Sequence, residues 1–114
     1  MDRFATFEDA PPPRAGPAPT IEELRAVRGR ILEIVARNRG RNVRIFGSVA
    51  RGDAEPDSDV DFLVDLEEGA SLLDLGGMDT ELRELLGRDV DVVHFHRWTR
   101  PRFRARVERE SVAL

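Results

Sequence analysis

The 114-residue chain is long enough for one domain with a single hydrophobic core and too short for two. Its formal net charge of −4 argues against direct nucleic-acid binding, and the absence of cysteine excludes disulfides and cysteine-based metal sites. The chain has no apolar stretch of membrane-spanning length and no hydrophobic signal sequence, so we expect a cytoplasmic protein that does not bind membranes.

The chain divides into a proline-rich leader, residues 1–19, and one domain, residues 20–114. The leader has little apolar surface to bury and its prolines oppose helix formation, so we expect it to be flexible. Thr20 and Glu23 have the spacing of a capping box and predict a helix that continues to about Arg39. Gly40 is expected to end this helix. Apolar residues recur along it at helical spacing: Ile21, Leu24, Ile31, Ile34 and Val35.

Short strands and two further helices are predicted after this first helix. We expect strands over 42–46, 59–66 and 90–95, a turn with a short helix over 47–52, a polar loop over 53–58, and helices over 71–86 and from about residue 99. Ser71 and Asp74 form a second capping box. Gly76 and Gly77 each weaken the helix that follows by about 1 kcal/mol, so we expect its first turns to be broken.

This order of elements predicts an α/β (α+β) fold, with helices packed against a small mixed sheet of three to four strands. The tight polar loop between the first two strands predicts that they pair antiparallel. The next helix carries the chain across to the third strand, which makes the sheet a mixed one.

Two aspartates at the beginning of the second strand predict a metal site. Because side chains alternate along a strand, Asp59 and Asp61 project from the same face and lie close together. The apolar residues around them indicate a strand that is at least half buried, where two unpaired carboxylates are costly. A divalent cation between them removes that cost, and oxygen ligands suit Mg²⁺, with Mn²⁺ as the alternative.

Gly47 and Ser48, where the first strand ends, predict a phosphate-binding turn. Backbone N–H groups at the beginning of the helical turn and the Ser48 hydroxyl can bind phosphate oxygens. Gly47 lets phosphates approach the backbone closely because it has no Cβ. Arg51 lies on the same turn and is expected to pair with a triphosphate through its planar guanidinium.

The third strand is expected to supply another carboxylate. Asp91 is an acid in an otherwise apolar strand, and we interpret it as a metal ligand and as the base that takes the acceptor's proton. Asp89 is the alternative, but its position at the beginning of the strand is more typical of a turn residue.

These segments resemble a known family. The sequences GSVARG (47–52) and DSDVD (57–61) resemble the signature of the DNA polymerase beta-like nucleotidyltransferases. The resemblance is greatest to the minimal nucleotidyltransferases (MNT), which are single small domains. Residues 86–93 resemble that family's third-carboxylate segment, and residues 110–114 resemble its C-terminal end. The resemblance covers about residues 20–114 and leaves the leader unexplained.

The resemblance implies an enzyme that transfers AMP from Mg-ATP to a hydroxyl, with Ser48 at the triphosphate and Asp59, Asp61 and Asp91 around Mg²⁺. Members of this family commonly act as antitoxins of HEPN-domain toxins, which are helical ribonucleases. Some members silence the toxin by transferring AMP to one of its tyrosines. We therefore expect a nucleotidyltransferase (protein adenylyltransferase) that forms a hetero-oligomer with a cognate HEPN-type toxin.

Other functions stay open at this stage. The charged last helix and the short chain are also compatible with an antitoxin that binds and occludes its toxin without essential catalysis. Transfer to another protein or to a small molecule is a further alternative. A small-molecule acceptor is disfavoured because the chain is too short to include the acceptor-binding domain that such enzymes usually need.

The segment 94–109 has features outside these motifs. His94 and His96 alternate on the third strand, but no third metal ligand is evident, which favours a structural or surface role. Trp98, the only tryptophan, is expected to pack in the core or at its rim. The segment's six arginines are interpreted as a solvated helix face or as a contact for an acidic partner or for nucleotide phosphates.

Overall fold

The computed structural model describes residues 17–114, so most of the predicted leader, including Phe4 and Phe7, lies outside the described residues. In chain order, the helices and strands of this part are α1 (Ile21–Ala26), α2 (Arg28–Arg37), β1 (Gly40–Phe46), α3 (Gly47–Arg51), β2 (Val60–Leu66), α4 (Leu72–Leu86), β3 (Val90–Val93), α5 (Pro101–Glu110) and β4 (Val112–Ala113). No helix among the described residues is long and apolar enough to cross a membrane.

The four strands form one mixed sheet in the order β3-β2-β1-β4. β1 pairs antiparallel with β2 and with β4, whereas β2 and β3 pair parallel. The crossover through α4 makes the parallel pair possible, because parallel neighbours cannot be joined by a tight turn. The predicted fold class is therefore confirmed.

Helices pack on both faces of the sheet. Residues of β2 that alternate in sequence, such as Val60 and Phe62, belong to the larger core, which includes buried residues of α2 and α4. Leu63, on the opposite face, packs with Phe46 and with Val107 of α5 in a second cluster. Asp61 lies two residues before Leu63 on β2, so its carboxylate projects from this same face beneath α5.

The first predicted helix is divided into two. Val27 leaves the helical region, with φ −113° and ψ 23°, and separates α1 from α2. Val27 and Gly29 are both weak helix formers, so the chain can break there at little cost. At the other end Arg39 takes a left-handed conformation (φ 66°), and Gly40 begins β1 rather than ending the helix.

α4 is continuous, so the prediction that its first turns are broken is wrong. The reason lies in its contact with the residue that follows α2. A Cβ on Gly77 would overlap Asn38 Oδ1, and the Asn38 amide donates a hydrogen bond of 2.6 Å to Glu81 further along α4. Gly77 thus allows α2 and α4 to approach closely, and this packing offsets its weak helix propensity.

The C-terminal part of the sheet also differs from the sequence prediction. β3 ends at Val93 rather than Phe95, because the chain then enters the turn that joins His96 to Thr99. The two residues of β4 pair with Arg44 and Ile45 of β1 and supply the fourth strand. A strand this short has no recognisable alternation in the sequence.

The end of the predicted leader lies against the domain. Pro19 is buried, and the carbonyl of Pro17 accepts a hydrogen bond of 2.8 Å from Arg88 Nη2. Arg88 precedes β3, so this contact joins the N-terminal segment to the edge of the sheet.

Candidate active site

The turn from β1 into α3 places a glycine directly against an aspartate of β2. Gly47 has φ +73°, in the left-handed region that favours glycine. A Cβ at this position would overlap Asp61 Oδ2 and lie 3.1 Å from Asp61 Cγ. Gly47 is predicted from the sequence to allow close approach by phosphates. The structure shows that the same missing Cβ also makes room for the Asp61 carboxylate.

Asp61 and Asp91 are neighbours across the sheet. They are Cα partners in the parallel register between β2 and β3, so their side chains project from the same face. Asp61 is half-buried and Asp91 is exposed. Asp59 lies one residue before β2, is exposed, and is close enough for its charge to act on Asp61. Asp91 and Asp59 therefore both lie near enough to Asp61 for their charges to act on it.

Burial and neighbouring negative charge both raise the pKa of Asp61. Burial is the largest cause, and with the charges of Asp91 and Asp59 it raises the pKa of Asp61 to about 6. Arg51 acts in the opposite direction and only partly offsets these effects. A carboxylate in this situation is stabilised by any cation that approaches it.

Asp89, the alternative third acid, has a different partner. Arg83 Nη1 donates a hydrogen bond of 2.8 Å to Asp89 Oδ1. Asp89 also lies one residue before β3, whereas Asp91 is level with Asp61 in the register. The geometry thus favours Asp91.

The two other predicted nucleotide contacts lie on α3. Ser48 is half-buried, and no hydrogen bond among the described residues uses its hydroxyl. Arg51 is already paired: its guanidinium donates to Asp53 Oδ2 and to Glu110 Oε1, each at 3.3 Å. Glu110 reaches this turn from the end of α5, and no local pattern in the chain predicts its contact with Arg51.

A second arginine positions the loop that leads to Asp59. Ser58 Oγ accepts the N–H of Glu55 at 2.8 Å, and the N–H of Ser58 donates to the Glu55 carbonyl at 2.9 Å. Arg88 Nη1 donates to the carbonyl of Pro56, also at 2.8 Å. Arg88 was not identified from the sequence. Arg88 thus connects the loop that precedes Asp59 and Asp61 to the start of β3, the strand that contains Asp91.

The donor set fits a divalent cation in its chemistry. Three carboxylates, without sulfur or imidazole, are typical oxygen ligands for Mg²⁺ or Mn²⁺. Over residues 17–114, no three His, Asp or Glu side chains converge closely enough to form a complete metal-binding group. Asp59 and Asp91 are exposed, so rotation of their side chains toward Asp61 requires no movement of the sheet.

The segment after β3 stands outside this cluster. The rings of His94 and His96 lie 5.6 Å apart between centroids. The prediction that Trp98 packs in the core or at its rim is wrong, because its side chain is 77% exposed.

Known proteins share both the sequence and the fold of this chain. A family model of the nucleotidyltransferase domain matches residues 28–114. A Methanocaldococcus jannaschii protein, named as a candidate protein adenylyltransferase, is 36% identical over 89 residues, which cover 78% of this chain and 95% of that protein. The protein adenylyltransferase MntA of Thermococcus cleftensis is 43% identical over 75 residues, or 65% of this chain and 76% of MntA.

Two solved structures are similar to this chain in fold. One described as a candidate minimal nucleotidyltransferase has a TM-score of 0.74 and 47% identity, covering 84% of this chain and 97% of its own. Another solved structure is a Shewanella oneidensis complex of a tri-AMPylated HEPN toxin with an MNT antitoxin. It matches with a TM-score of 0.59 at 18% identity, over 78% of this chain and 69% of the matched chain. This match shows a similarity of fold alone. The chain therefore belongs to the nucleotidyltransferase domain family and is an enzyme that groups with the minimal nucleotidyltransferases.

Proposed function

We propose that this enzyme transfers AMP from Mg-ATP to a hydroxyl of a protein, as the antitoxin of a toxin–antitoxin pair. The observation that carries the proposal is that Asp61 and Asp91 are Cα partners in the parallel register and that Asp61 lies against Gly47. Two acids and the proposed phosphate-binding turn therefore lie together on one face of the sheet. The names of the relatives support AMP as the transferred group and a protein as the acceptor. We expect the reaction in the cytoplasm, where ATP is available.

The proposed partner is a HEPN-type toxin, with a tyrosine as the acceptor and a hetero-oligomer as the working form. The Shewanella oneidensis complex supports this choice, because a protein of the same fold is there bound to an AMPylated HEPN toxin.

In the proposed site, the triphosphate lies against the beginning of α3. The Ser48 hydroxyl and the backbone N–H groups of Gly47 and Ser48 donate to phosphate oxygens. Arg51 would exchange its contacts with Asp53 and Glu110 for a phosphate oxygen, which its exposed guanidinium can reach by side-chain rotation.

The three aspartates of the proposed site would hold Mg²⁺. The bound cation would neutralise charge on the phosphates and offset the repulsion that raises the pKa of Asp61. Asp91, at the exposed edge of the cluster, takes the proton of the acceptor hydroxyl. The acceptor oxygen bonds to the α-phosphorus, the bond to the β-phosphate oxygen breaks, and pyrophosphate leaves.

The test is transfer of label from ATP labelled at the α-phosphate to the partner toxin, followed by mass spectrometry of the modified tyrosine. We expect the double variant with Asp59→Asn and Asp61→Asn to transfer no label. Asp65→Asn is the matched control, since Asp65 lies on β2 but is bound to Asn42 and Arg44 outside the site. It should transfer label as the wild type does.

Two results would contradict the proposal. Equal transfer by the double variant and the wild type would exclude the aspartates from the chemistry. Full neutralisation of the toxin in cells by the double variant would instead favour an antitoxin that acts by occlusion.

A further inference from the structure

A surface beside the proposed active site has no role in the reaction described above. We call it the Trp98 surface. Its residues enclose a groove of about 470 Å³: Val93, His94, His96, Trp98, Arg100 and Phe103. The groove is large enough for an aromatic side chain and part of the backbone on either side.

The exposure of Trp98 is fixed by a hydrogen-bonded turn. The N–H of Thr99 donates to the carbonyl of His96 at 2.9 Å, and Thr99 Oγ1 accepts the N–H of His96 at 2.8 Å. The N–H of Trp98 donates to Nδ1 of His96 at 3.2 Å. The indole is thus held out into solvent on an ordered turn, and indoles presented in this way are enriched at protein interfaces.

The charge of the surface indicates what kind of partner it fits. Among residues 17–114, no carboxylate pairs with Arg97, Arg100 or Arg102. By contrast, Arg51 and Arg83 each have two carboxylate partners. Because the whole chain has a net charge of −4, this local positive charge favours an acidic segment.

The Trp98 surface is continuous with the aspartate cluster. Val93 lies on the same strand and the same face as Asp91, two residues further, or about 7 Å along β3. β3 is the outermost strand of the sheet, so nothing in the described sheet covers its outer edge. A chain docked in the groove therefore passes close to the proposed base.

We propose that the Trp98 surface docks the acceptor protein, through an acidic segment that places an apolar or aromatic side chain in the groove and the acceptor hydroxyl beside Asp91. This inference rests on the proposed protein adenylylation. A polypeptide is favoured over a nucleic acid because the apolar walls of the groove, from Val93 and Phe103, suit an apolar side chain.

Direct binding can be measured without catalysis. Trp98 is the only tryptophan and the chain has no tyrosine, so its emission reports the surface alone. The full chain is titrated with a synthetic peptide of Glu, Asp and Phe, which adds no tyrosine or tryptophan emission, and with the same peptide after replacement of its acids by Lys. We expect saturable quenching by the acidic peptide, with a Kd about tenfold lower than for the basic one.

A charge variant and two further ligands complete the binding test. The double variant with Arg97→Gln and Arg100→Gln should raise the Kd for the acidic peptide about tenfold. Equal binding of both peptides would overturn the proposal. Tighter binding of a single-stranded RNA oligonucleotide would also overturn it, as would quenching by ATP that the peptide cannot displace.

Kinetics with the partner toxin give the second readout. Trp98→Ala should raise the KM for the toxin about tenfold and leave kcat within about twofold, because the indole contributes to docking and not to chemistry. The control is Leu72→Ser with Leu73→Ser, since these side chains are 81% and 88% exposed but precede an acid, Asp74. It should leave KM unchanged.

The two readouts separate failure of docking from failure of the proposed function. Peptide binding without any nucleotide transfer would refute adenylylation and keep the surface. Transfer with an unchanged KM in Trp98→Ala would refute the surface and keep adenylylation. Circular dichroism confirms that the variants fold, which the exposure of Trp98 leads us to expect.

Discussion

Replacement of Gly47 by alanine tests the close approach between the phosphate-binding turn and the aspartate cluster. Two effects add at this position. Alanine in the left-handed region costs about 1–2 kcal/mol. The new methyl group also overlaps Asp61 Oδ2, so the carboxylate must move by about 1 Å to restore van der Waals contact.

Gly52→Ala provides a matched control. Gly52 has φ +82°, close to the +73° of Gly47, but a Cβ there meets nothing within 4 Å. Both variants should therefore lose about 1–2 kcal/mol of stability from backbone strain. For a domain of this size, each kcal/mol lowers the Tm by about 4–8 °C. Only Gly47→Ala displaces the carboxylate.

The assay is label transfer from ATP under single-turnover conditions, at a temperature where both variants are folded. A misplacement of about 1 Å in a catalytic group costs roughly 10²-fold in rate, so we expect a loss of this size in Gly47→Ala. Gly52→Ala should stay within about threefold of the wild type, since it keeps the site geometry. Equal losses in the two variants would refute the reasoning, because backbone strain alone would then explain both.

Three further predictions concern the acids and the packing of α4. Without divalent cations, the free energy of unfolding should decrease as the pH rises from about 4 to 6. Burial, Asp91 and Asp59 raise the pKa of Asp61 from 3.8 to about 6, so over this range the folded state keeps a proton that the unfolded state has lost. Urea unfolding of Asp61→Asn should lack this pH dependence, and an unchanged pH dependence would contradict the assignment to Asp61. Asp91→Asn should lower nucleotide transfer by at least about 10²-fold, whereas Asp89→Asn loses its exposed ion pair with Arg83 and should change transfer little. The reverse order would identify Asp89 as the base. Gly76→Ala should stabilise the protein by about 1 kcal/mol in urea unfolding, since a Cβ there meets nothing within 4 Å. Gly77→Ala should destabilise it, because the new methyl group overlaps Asn38. Stabilisation by both variants would refute the packing of α4 on α2.

The turn at Gly47 and Ser48 and the acids of the candidate site could be located from the sequence because their signals are local. The spacing of Gly47, Ser48, Asp59 and Asp61 is contained within one strand–turn–strand unit, and strand periodicity places the two acids on one face. The capping boxes that begin α1 and α4 are also short-range patterns, and both are formed in the structure. The third acid, Asp91, was distinguishable from Asp89 only by its place in an apolar run.

The tertiary structure determined the features that join distant segments. Arg51 meets Glu110, which is 59 residues away, and Arg88 reaches the carbonyl of Pro56 across 32 residues. Neither pair leaves a pattern in the chain, because each depends on how α5 and β3 pack against the turns beside them.

For α4 and for Trp98, the conformation predicted from local propensity differs from the one that tertiary packing stabilises. The two glycines of α4 predicted a broken helix, but close contact between Gly77 and Asn38 stabilises a continuous one. A lone tryptophan predicted burial, but the turn from His96 to Thr99 holds it in solvent. The sequence by itself thus determined which residues are the candidates for binding metal and phosphate, since that follows from residue type and local spacing. Their depth, partners and neighbours, including the contact of Gly47 with Asp61, were decided only when distant segments packed together.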